Sequence, residues 1–329
     1  MATMTISATA DGSKSKRSLG LRLYDFGAVL GLVLMCVTLT FLSPRFLTVD
    51  NLLNVAGQAA INSIISVGML MVIVTAGIDL SVGQILALSI MVMGVLSKNY
   101  AVSPYLAILG CLATGTALGF ANGLLFTRLN LPHPFISTLG MSYMAKGIAL
   151  VITGAAPVSG FPAQIQFFGR VDPLPYSIVL VAVLYVGVHL FLTRTTLGRY
   201  IYAVGGNREA SRLSGINVKN VLTIVYAISG FTAALAGLVL VGRVNSAYPL
   251  AGQGYELDAI AAVIIGGASF FGGVGSIGKT IIGVLLIAVL RNGLNLLNVT
   301  SSYQLFAIGA VIVVAVYVDV LRQKVMRAA

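Results

Sequence analysis

Long apolar runs recur along the chain, and few charged residues interrupt them. A helix needs about 20 mostly apolar residues to cross a bilayer, so such runs indicate membrane spans. Charged residues make up 9% of the chain, against about 25% in soluble domains. We therefore predict an all-α polytopic membrane protein with about ten transmembrane helices. For the short third and eighth runs two interpretations stay open, a full span or a re-entrant or broken helix. The runs are 26–42, 52–76, 82–97, 104–127, 134–153, 176–193, 220–242, 256–268, 276–297 and 304–321.

The formal charge of +11 comes from Lys and Arg residues that fall mainly in alternate connecting segments. Such residues collect in cytoplasmic loops, so we assign the charge to membrane orientation and not to nucleic-acid binding. The pattern predicts cytoplasmic tails at 1–25 and 322–329, a transmembrane domain at 26–321 and a cytoplasmic loop at 194–219. The two histidines and two cysteines have no metal-ligand spacing, and no metal site is predicted.

Loop 194–219 is the longest charged stretch and contains signals for a short helix. Asn207 is suited to cap the helix, Glu209 suits the dipole in its first turn, and Gly215 suits its end. Arg212 follows Glu209 by three residues, on a neighbouring face. Two interpretations remain open: a helix that docks another protein, or a solvated connector whose arginines set the topology.

An aspartate lies between two apolar runs in "TAGIDLSVGQILALS", residues 75–89. We expect Asp79 at the inner end of the second span, in a tight turn with Gly77, Ser81 and Gly83. It is interpreted as a cap of the third helix, with a role in gating as the alternative. The stretch "GIDLSVGQILALS" also resembles "GYELDAIAAVIIGG" at 254–267, and their predicted positions on opposite sides indicate an inverted repeat.

Polar residues within the apolar runs are candidates for a transport pathway. Asn62, Gln84, Asn122 and Thr138 carry groups that donate or accept hydrogen bonds. Their alternative role is hydrogen bonding between helices.

Two other patterns are rejected as catalytic sites. Glu256 and Asp258 are two positions apart, so they do not share a helix face and do not form a catalytic pair. The letters "GVGSIGKT" at 273–280 match a phosphate-binding loop, but such a loop follows a strand in an α/β domain. We predict a glycine-rich turn between helices here, and no enzyme activity.

Four segments together resemble the ribose-type sugar permeases of bacterial ABC importers. They are "GIDLSVG" at 77–83, "LGRYIYAVGGNREASRLSGINV" at 197–218, "GYELDAIAAVIIGG" at 254–267 and "NGLNLLNV" at 292–299. The likeness covers about 45–320. Glu209-Ala210-Ser211-x-x-x-Gly215 resembles the Glu-Ala-Ala-x-x-x-Gly element of ABC importer permeases, with Ser211 in place of an alanine.

The resemblance implies an ABC importer permease fold in the bacterial inner membrane. It implies a transport subunit that moves ribose or a related monosaccharide by alternating access. ATP and magnesium would bind a separate ATPase, which would dock on the element from Asn207 to Gly215. A second copy of the chain and a periplasmic sugar-binding protein complete the expected assembly.

We expect that binding protein to dock near Glu256, Asp258 and Arg243. Two alternatives remain. One is an ABC permease for another cargo, namely a furanosyl signal molecule, a nucleoside or a branched-chain amino acid. The other is an ion-coupled transporter that uses Asp79 or Glu256.

Overall fold

The computed structural model describes residues 11–170 and 175–327, and their side chains over 27–170 and 175–321. Both predicted tails, 1–25 and 322–329, therefore lie outside the residues whose side chains are described. The described helices are α1 (Asp11–Leu42), α2 (Val49–Val74), α3 (Val82–Lys98), α4 (Pro104–Arg128), α5 (Pro134–Val151), α6 (Ala163–Gln166), α7 (Tyr176–Arg194), α8 (Thr196–Gly206), α9 (Arg208–Leu213), α10 (Val218–Val244), α11 (Tyr255–Ile265), α12 (Ile277–Leu296) and α13 (Ser301–Arg327).

The chain is a polytopic helical protein, as its apolar runs predict. Each of the ten runs falls on a helix, and six helices of the described part are long and apolar enough to cross a membrane. These six are Val49–Val74, Pro104–Arg128, Tyr176–Arg194, Val218–Val244, Ile277–Leu296 and Ser301–Leu321. The eighth run is α11, whose 11 residues extend about 16 Å. That length is too short for a bilayer core of about 30 Å.

The centre of the bundle is formed by α2, α3 and α10, most of whose residues are buried. The surrounding helices α1, α4, α5, α7 and α13 expose large apolar side chains, among them Phe41, Tyr143 and Phe306. In water such a surface would be costly. It fits a protein whose perimeter faces lipid or another membrane helix.

Helices α4 and α10 approach each other closely along a row of small residues. Gly115, Gly119 and Gly123 are four positions apart on α4 and face α10. A Cβ atom placed on Gly230 of α10 would lie 2.8 Å from the Cα of Gly119. This is the small-residue spacing by which membrane helices pack without bulky side chains between them.

The two ends of the bundle carry different elements. The α9 end carries α8, α9 and the last turn of α2. The far end carries the first turn of α2 and a pair of two-residue strands, β1 (Val158–Ser159) and β2 (Ser246–Ala247), which are antiparallel. These strands are a small departure from the predicted all-α fold.

The two segments assigned to an inverted repeat meet inside the bundle. Gly83, in the first turn of α3, lies against the backbone of Gly252, just before α11. The two helix starts therefore meet within the bundle, because residues 75–81 turn back into it before α3 begins. The placement of the two segments on opposite sides stays a prediction.

Candidate functional site

Helix α9 is a short, exposed helix whose two ends are capped as the sequence predicts. The side chain of Asn207 accepts a hydrogen bond from the Ala210 N–H at 2.9 Å. At the other end Gly215 has φ +83°, the left-handed conformation that glycine adopts easily. The N–H of Ile216 then donates to the carbonyl of Ser211 at 3.0 Å. The turn is therefore held on both sides by local hydrogen bonds.

An ion pair lies on the solvent face of α9. The Arg212 guanidinium donates from Nη2 to Glu209 Oε1 at 2.6 Å and from Nε to Oε2 at 3.1 Å. The pKa of the Glu209 carboxyl is lowered below its usual value, first by the hydrogen bond from Arg212 and second by the positive charge of Arg212. Both side chains are 65% exposed, so the pair adds little to stability. It leaves both charges available at the surface.

The two faces of α9 differ in chemistry. Ser211 is buried, so the position that departs from the resembling element faces the bundle. Leu213 is 74% exposed, and Ala210 is also on the surface. An exposed leucine beside a paired acid and base gives α9 an apolar tip with a charged flank.

Arg208, the first residue of α9, connects this helix to α2. Its Nη2 donates to the carbonyl of Thr75 at 3.0 Å and lies 3.4 Å from the carbonyl of Ala76. These carbonyls belong to the turn that ends α2, where they have no helical partner. The guanidinium also lies 5.8 Å from the centre of the Phe126 ring on α4. The start of α9 is therefore bonded directly to the end of α2.

A second contact at the α9 end joins the loop after α11 to α2 and α8 through backbone atoms alone. The N–H of Gly273 donates to the carbonyl of Val74 at 2.8 Å. A Cβ atom on Gly205 of α8 would lie 2.7 Å from the Gly273 nitrogen and would overlap the Val74 carbonyl. The loop with the letters of a phosphate-binding motif follows α11 and not a strand. It packs against α2 and α8, as predicted for a turn between helices.

Asp79 is fully buried, and both of its carboxylate oxygens accept hydrogen bonds. Oδ1 accepts from the N–H of Ser81 at 3.0 Å and from its hydroxyl at 2.5 Å. Oδ2 accepts from the Ser229 hydroxyl of α10 at 2.8 Å. The Asn122 amide of α4 donates to the Ser81 hydroxyl at 3.2 Å. Asp79 thus joins the α2–α3 turn to α4 and α10.

The position of Asp79 differs from the one expected at the inner end of a span. Its partner Ser229 lies eleven residues after Val218, which is about 16 Å along α10. Ser81, and not Asp79, precedes the first residue of α3. The neighbouring Gly77 lies under the Tyr226 hydroxyl, which donates to the carbonyl of Ile78 at 3.3 Å. Buried segment 75–81 thereby obtains partners for backbone groups that a membrane cannot hydrate.

The three residues expected to dock a binding protein are engaged within the chain. Asp258 is 3% exposed and pairs with Arg291 of α12 at 2.8 Å and 2.9 Å. Arg243 bonds the Asn54 side chain and packs over Gly57 of α2. Glu256 turns Oε1 towards the N–H of Gly254, while Oε2 is buried without a partner. Asp258 is buried and neutralised by Arg291, whereas Arg243 and Glu256 are partly exposed and bond neutral groups.

The four pathway candidates do not form one site. Asn122 belongs to the Asp79 network, and Thr138 bonds the carbonyl of Phe135 in its own helix. Gln84 is buried beside Gly83, with Oε1 unpaired. Asn62 lines a separate cavity at the far end. Helix–helix bonding therefore accounts for Asn122, and local bonding accounts for Thr138.

Sequence reasoning missed several residues that position this site. Arg208 and Leu213 lie within the predicted element, but in the sequence nothing distinguishes them from other residues of a charged loop. Helix α8 had a clear signal, because the buried Ile201, Val204 and Gly205 have helical spacing. Ser229 had none, since it lies in an unbroken apolar run.

The family model and the individual relatives that match this chain are all permeases. Residues 51–316 match the family described as "Branched-chain amino acid transport system / permease component". The chain is 42% identical to the ribose import permease protein RbsC of Escherichia coli over 301 residues, 89% of this chain and 92% of that protein. It is 46% identical to RbsC of Bacillus subtilis over 298 residues, with the same shares. The D-allose transport system permease protein AlsC of Escherichia coli is 43% identical over 307 residues, 91% of this chain and 92% of that protein.

No solved structure matches the chain. The relatives nevertheless cover nearly its whole length, including α9, the Asp79 turn and the segment before α11. The apolar helices and the permease relatives together indicate a multi-pass inner-membrane protein. The chain therefore belongs to the ribose-type sugar permeases of ABC importers.

Proposed function

We propose that this chain is the transmembrane permease subunit of an ATP-driven importer for ribose or a related monosaccharide. The observation that carries the proposal is identity of 42–46% to two ribose import permeases across 89% of the chain. A D-allose permease is as similar, so the cargo class is a monosaccharide. The family description names branched-chain amino acids, but the relatives of 42–46% identity are permeases for ribose and D-allose. The nucleoside, signal-molecule and amino-acid alternatives are therefore not favoured.

The ATPase would dock on α9 from the cytoplasm. The element Asn207, Glu209, Ala210, Ser211, Arg212 and Gly215 forms a capped projection with an apolar tip at Leu213. Such a projection fits a cleft on a partner better than it fits a solvated connector, because a connector needs neither caps nor an exposed leucine. ATP and magnesium would bind that partner.

Movement of α9 would pass to the membrane core through Arg208. The arginine holds the carbonyls of Thr75 and Ala76, and the same turn continues to Asp79 and its bond with Ser229. Displacement of α9 would therefore shift α2 relative to α10. We assign to Gly77, Asp79, Ser81 and Gly83 the role of the hinge for alternating access.

Docking of the ATPase at α9 would also fix the orientation of the chain and the positions of its other partners. The α9 end and both termini would be cytoplasmic, and the far end would receive sugar from a periplasmic binding protein. Arg45 and Arg170, which are exposed near the far end, are docking candidates beside the partly exposed Arg243 and Glu256, and they replace the buried Asp258. Two copies would form the transporter. Ten membrane-embedded helices arranged as an inverted repeat, with α3 and α11 as the short half-helices, remain part of the proposal.

The test is uptake of labelled D-ribose by proteoliposomes that contain this chain, its ATPase and its binding protein. We expect uptake that requires ATP and all three components. Uptake by this chain alone under a proton or sodium gradient would instead support the ion-coupled alternative and refute the proposal.

A further inference from the structure

A polar cavity of about 330 Å³ opens at the far end of the bundle. It lies between α2, α12, the start of α13 and the segment that leads from β2 into α11. Its size falls at the lower end of the range for small-molecule sites. The cavity is separated from α9, because Asn62 in its wall lies twelve residues before Val74, about 18 Å along α2.

One wall of the cavity carries an unsatisfied hydrogen-bonding group. Asn62 is only 4% exposed, and its Oδ1 is buried without a hydrogen-bond partner. A buried acceptor without a partner is costly, and its presence calls for an explanation. Gln58, one turn earlier on the same helix, also lines the cavity. A ligand in the cavity would reach this oxygen only after the Asn62 amide turns towards it, and a hydroxyl group would then supply the missing donor.

The opposite wall carries an ion pair with bonding capacity left over. Asp258 and Arg291 share two parallel hydrogen bonds. A carboxylate can accept more than two bonds, and a guanidinium has five N–H donors. Both groups line the cavity, together with the rings of Tyr248 and Tyr255. The wall therefore offers fixed donors, fixed acceptors and aromatic surface side by side.

We infer that this cavity is a monosaccharide subsite on the import route, bound by Asn62 on one side and the Asp258–Arg291 pair on the other. The inference rests on the proposed function and adds to it a location and residues. A sugar matches the walls because each hydroxyl both donates and accepts, while its C–H face packs on aromatic rings. A cation would be opposed by Arg291 and an anion by Asp258, so the pair selects a neutral ligand.

The test measures protection of an engineered thiol in the complex of permease and ATPase. Cys36 and Cys111 are replaced, and one cysteine is introduced as Gln58→Cys in the cavity or Thr300→Cys as an exposed control at the same end. A polar thiosulfonate reagent then modifies each variant with and without D-ribose. Glycine betaine at equal concentration controls for a general effect of solutes.

We expect D-ribose to cause a saturable loss of modification at Gln58→Cys and none at Thr300→Cys. Adding Asn62→Leu should raise the ribose concentration for half protection by about threefold to tenfold, the effect of one lost hydrogen bond. Ser63→Ala is the matched control, because it removes a buried, unpaired oxygen of α2 that does not line the cavity.

Wild-type ribose uptake, measured in parallel, separates the two proposals. Uptake without protection of Gln58→Cys, or equal protection by betaine, overturns the subsite and leaves the proposed function standing. Absence of uptake for D-ribose and D-allose overturns both. If Asn62→Leu leaves the ribose concentration for half protection unchanged, the subsite as assigned is also overturned.

Discussion

Arg208 donates a hydrogen bond from Nη2 to the carbonyl of Thr75 at 3.0 Å, across 133 positions of the chain. The bond joins an exposed helix to the start of a buried turn that contains Asp79. It is charge-assisted, and such bonds are about twice as strong as neutral ones. Arg208 is thus placed to transmit a push on α9 to the membrane core.

Replacing Arg208 with alanine should uncouple the ATPase from transport. We expect Arg208→Ala to retain the ATPase in pull-down experiments but to lower ribose uptake per ATP hydrolysed, because the link to Thr75 is lost. Arg199→Ala, which removes an exposed arginine of α8, is the control and should behave as wild type. Equal coupling ratios in the two variants would contradict the assigned route.

Charge reversal on α9 should abolish docking without disturbing the membrane bundle. In Glu209→Arg two like charges would lie three residues apart on an exposed helix, and the partner would meet an arginine where it binds a carboxylate. We expect loss of the co-purifying ATPase with unchanged membrane insertion and thermal stability. Retention of the ATPase by a correctly inserted variant would refute docking at α9.

Docking through Glu209 should be insensitive to mild acidification. Arg212 lowers the pKa of Glu209, so the carboxylate stays ionised at pH values where an isolated glutamate begins to protonate. The contribution of this charge is present above the ordinary glutamate pKa and is lost only as the pH falls through the lowered value. In Arg212→Gln the loss should move to higher pH. ATPase retention measured across an acidic pH series compares the two.

Asp79 should contribute to stability more than an exposed aspartate does. Asp79→Asn weakens the three hydrogen bonds that Ser81 and Ser229 donate to the carboxylate, although the amide keeps one acceptor. Hydrogen bonds to charged groups contribute about 1.5–3 kcal/mol each. We expect a clear fall in the thermal unfolding temperature, and a smaller additional fall when Ser229→Ala is combined with it, because the two residues share a bond. Asp50→Asn, at an exposed position of α2, is the control. Additive effects of Asp79→Asn and Ser229→Ala would argue against the bond.

Two adjacent glycines should respond oppositely to the same substitution. Gly205→Ala places a Cβ atom into the Val74 carbonyl, whereas at Gly206 there is no atom within 4 Å of the new Cβ. Overpacking of this kind typically costs about 1–3 kcal/mol. We expect a lower unfolding temperature for Gly205→Ala. For Gly206→Ala we expect an unchanged or slightly higher unfolding temperature. Equal temperatures would show that α8 does not pack on α2 as described.

The helices were predictable because long apolar runs in a chain with few charges are compatible with few structures other than membrane helices. The caps of α9 were also predictable, since Asn207 and Gly215 act through bonds within their own turn. Local chemistry of this kind needs no knowledge of the rest of the fold. The same holds for the rejection of the phosphate-binding letters at 273–280, because the segment before them is a helix.

Partners distant in sequence were not predictable from pattern. The expected position of Asp79 assumed that a turn between spans lies at a membrane surface, whereas this turn folds back to Ser229. Asp258 looked like a free surface charge because its partner Arg291 is 33 positions away. The face of α4 at Gly115, Gly119 and Gly123 did carry a signal, since four-residue spacing of glycines is typical of membrane helix contacts.

The contact between Gly83 and Gly252 has an electrical consequence. The two backbones touch, so neither a side chain nor a hydrated ion fits between them. A bacterial inner membrane stores energy as a voltage, and each charge that leaks across dissipates about 2.3 kcal/mol per 100 mV. A bulky substitution at either glycine forces the two backbones apart, and we expect any ion leak through that gap to appear as a loss of membrane potential.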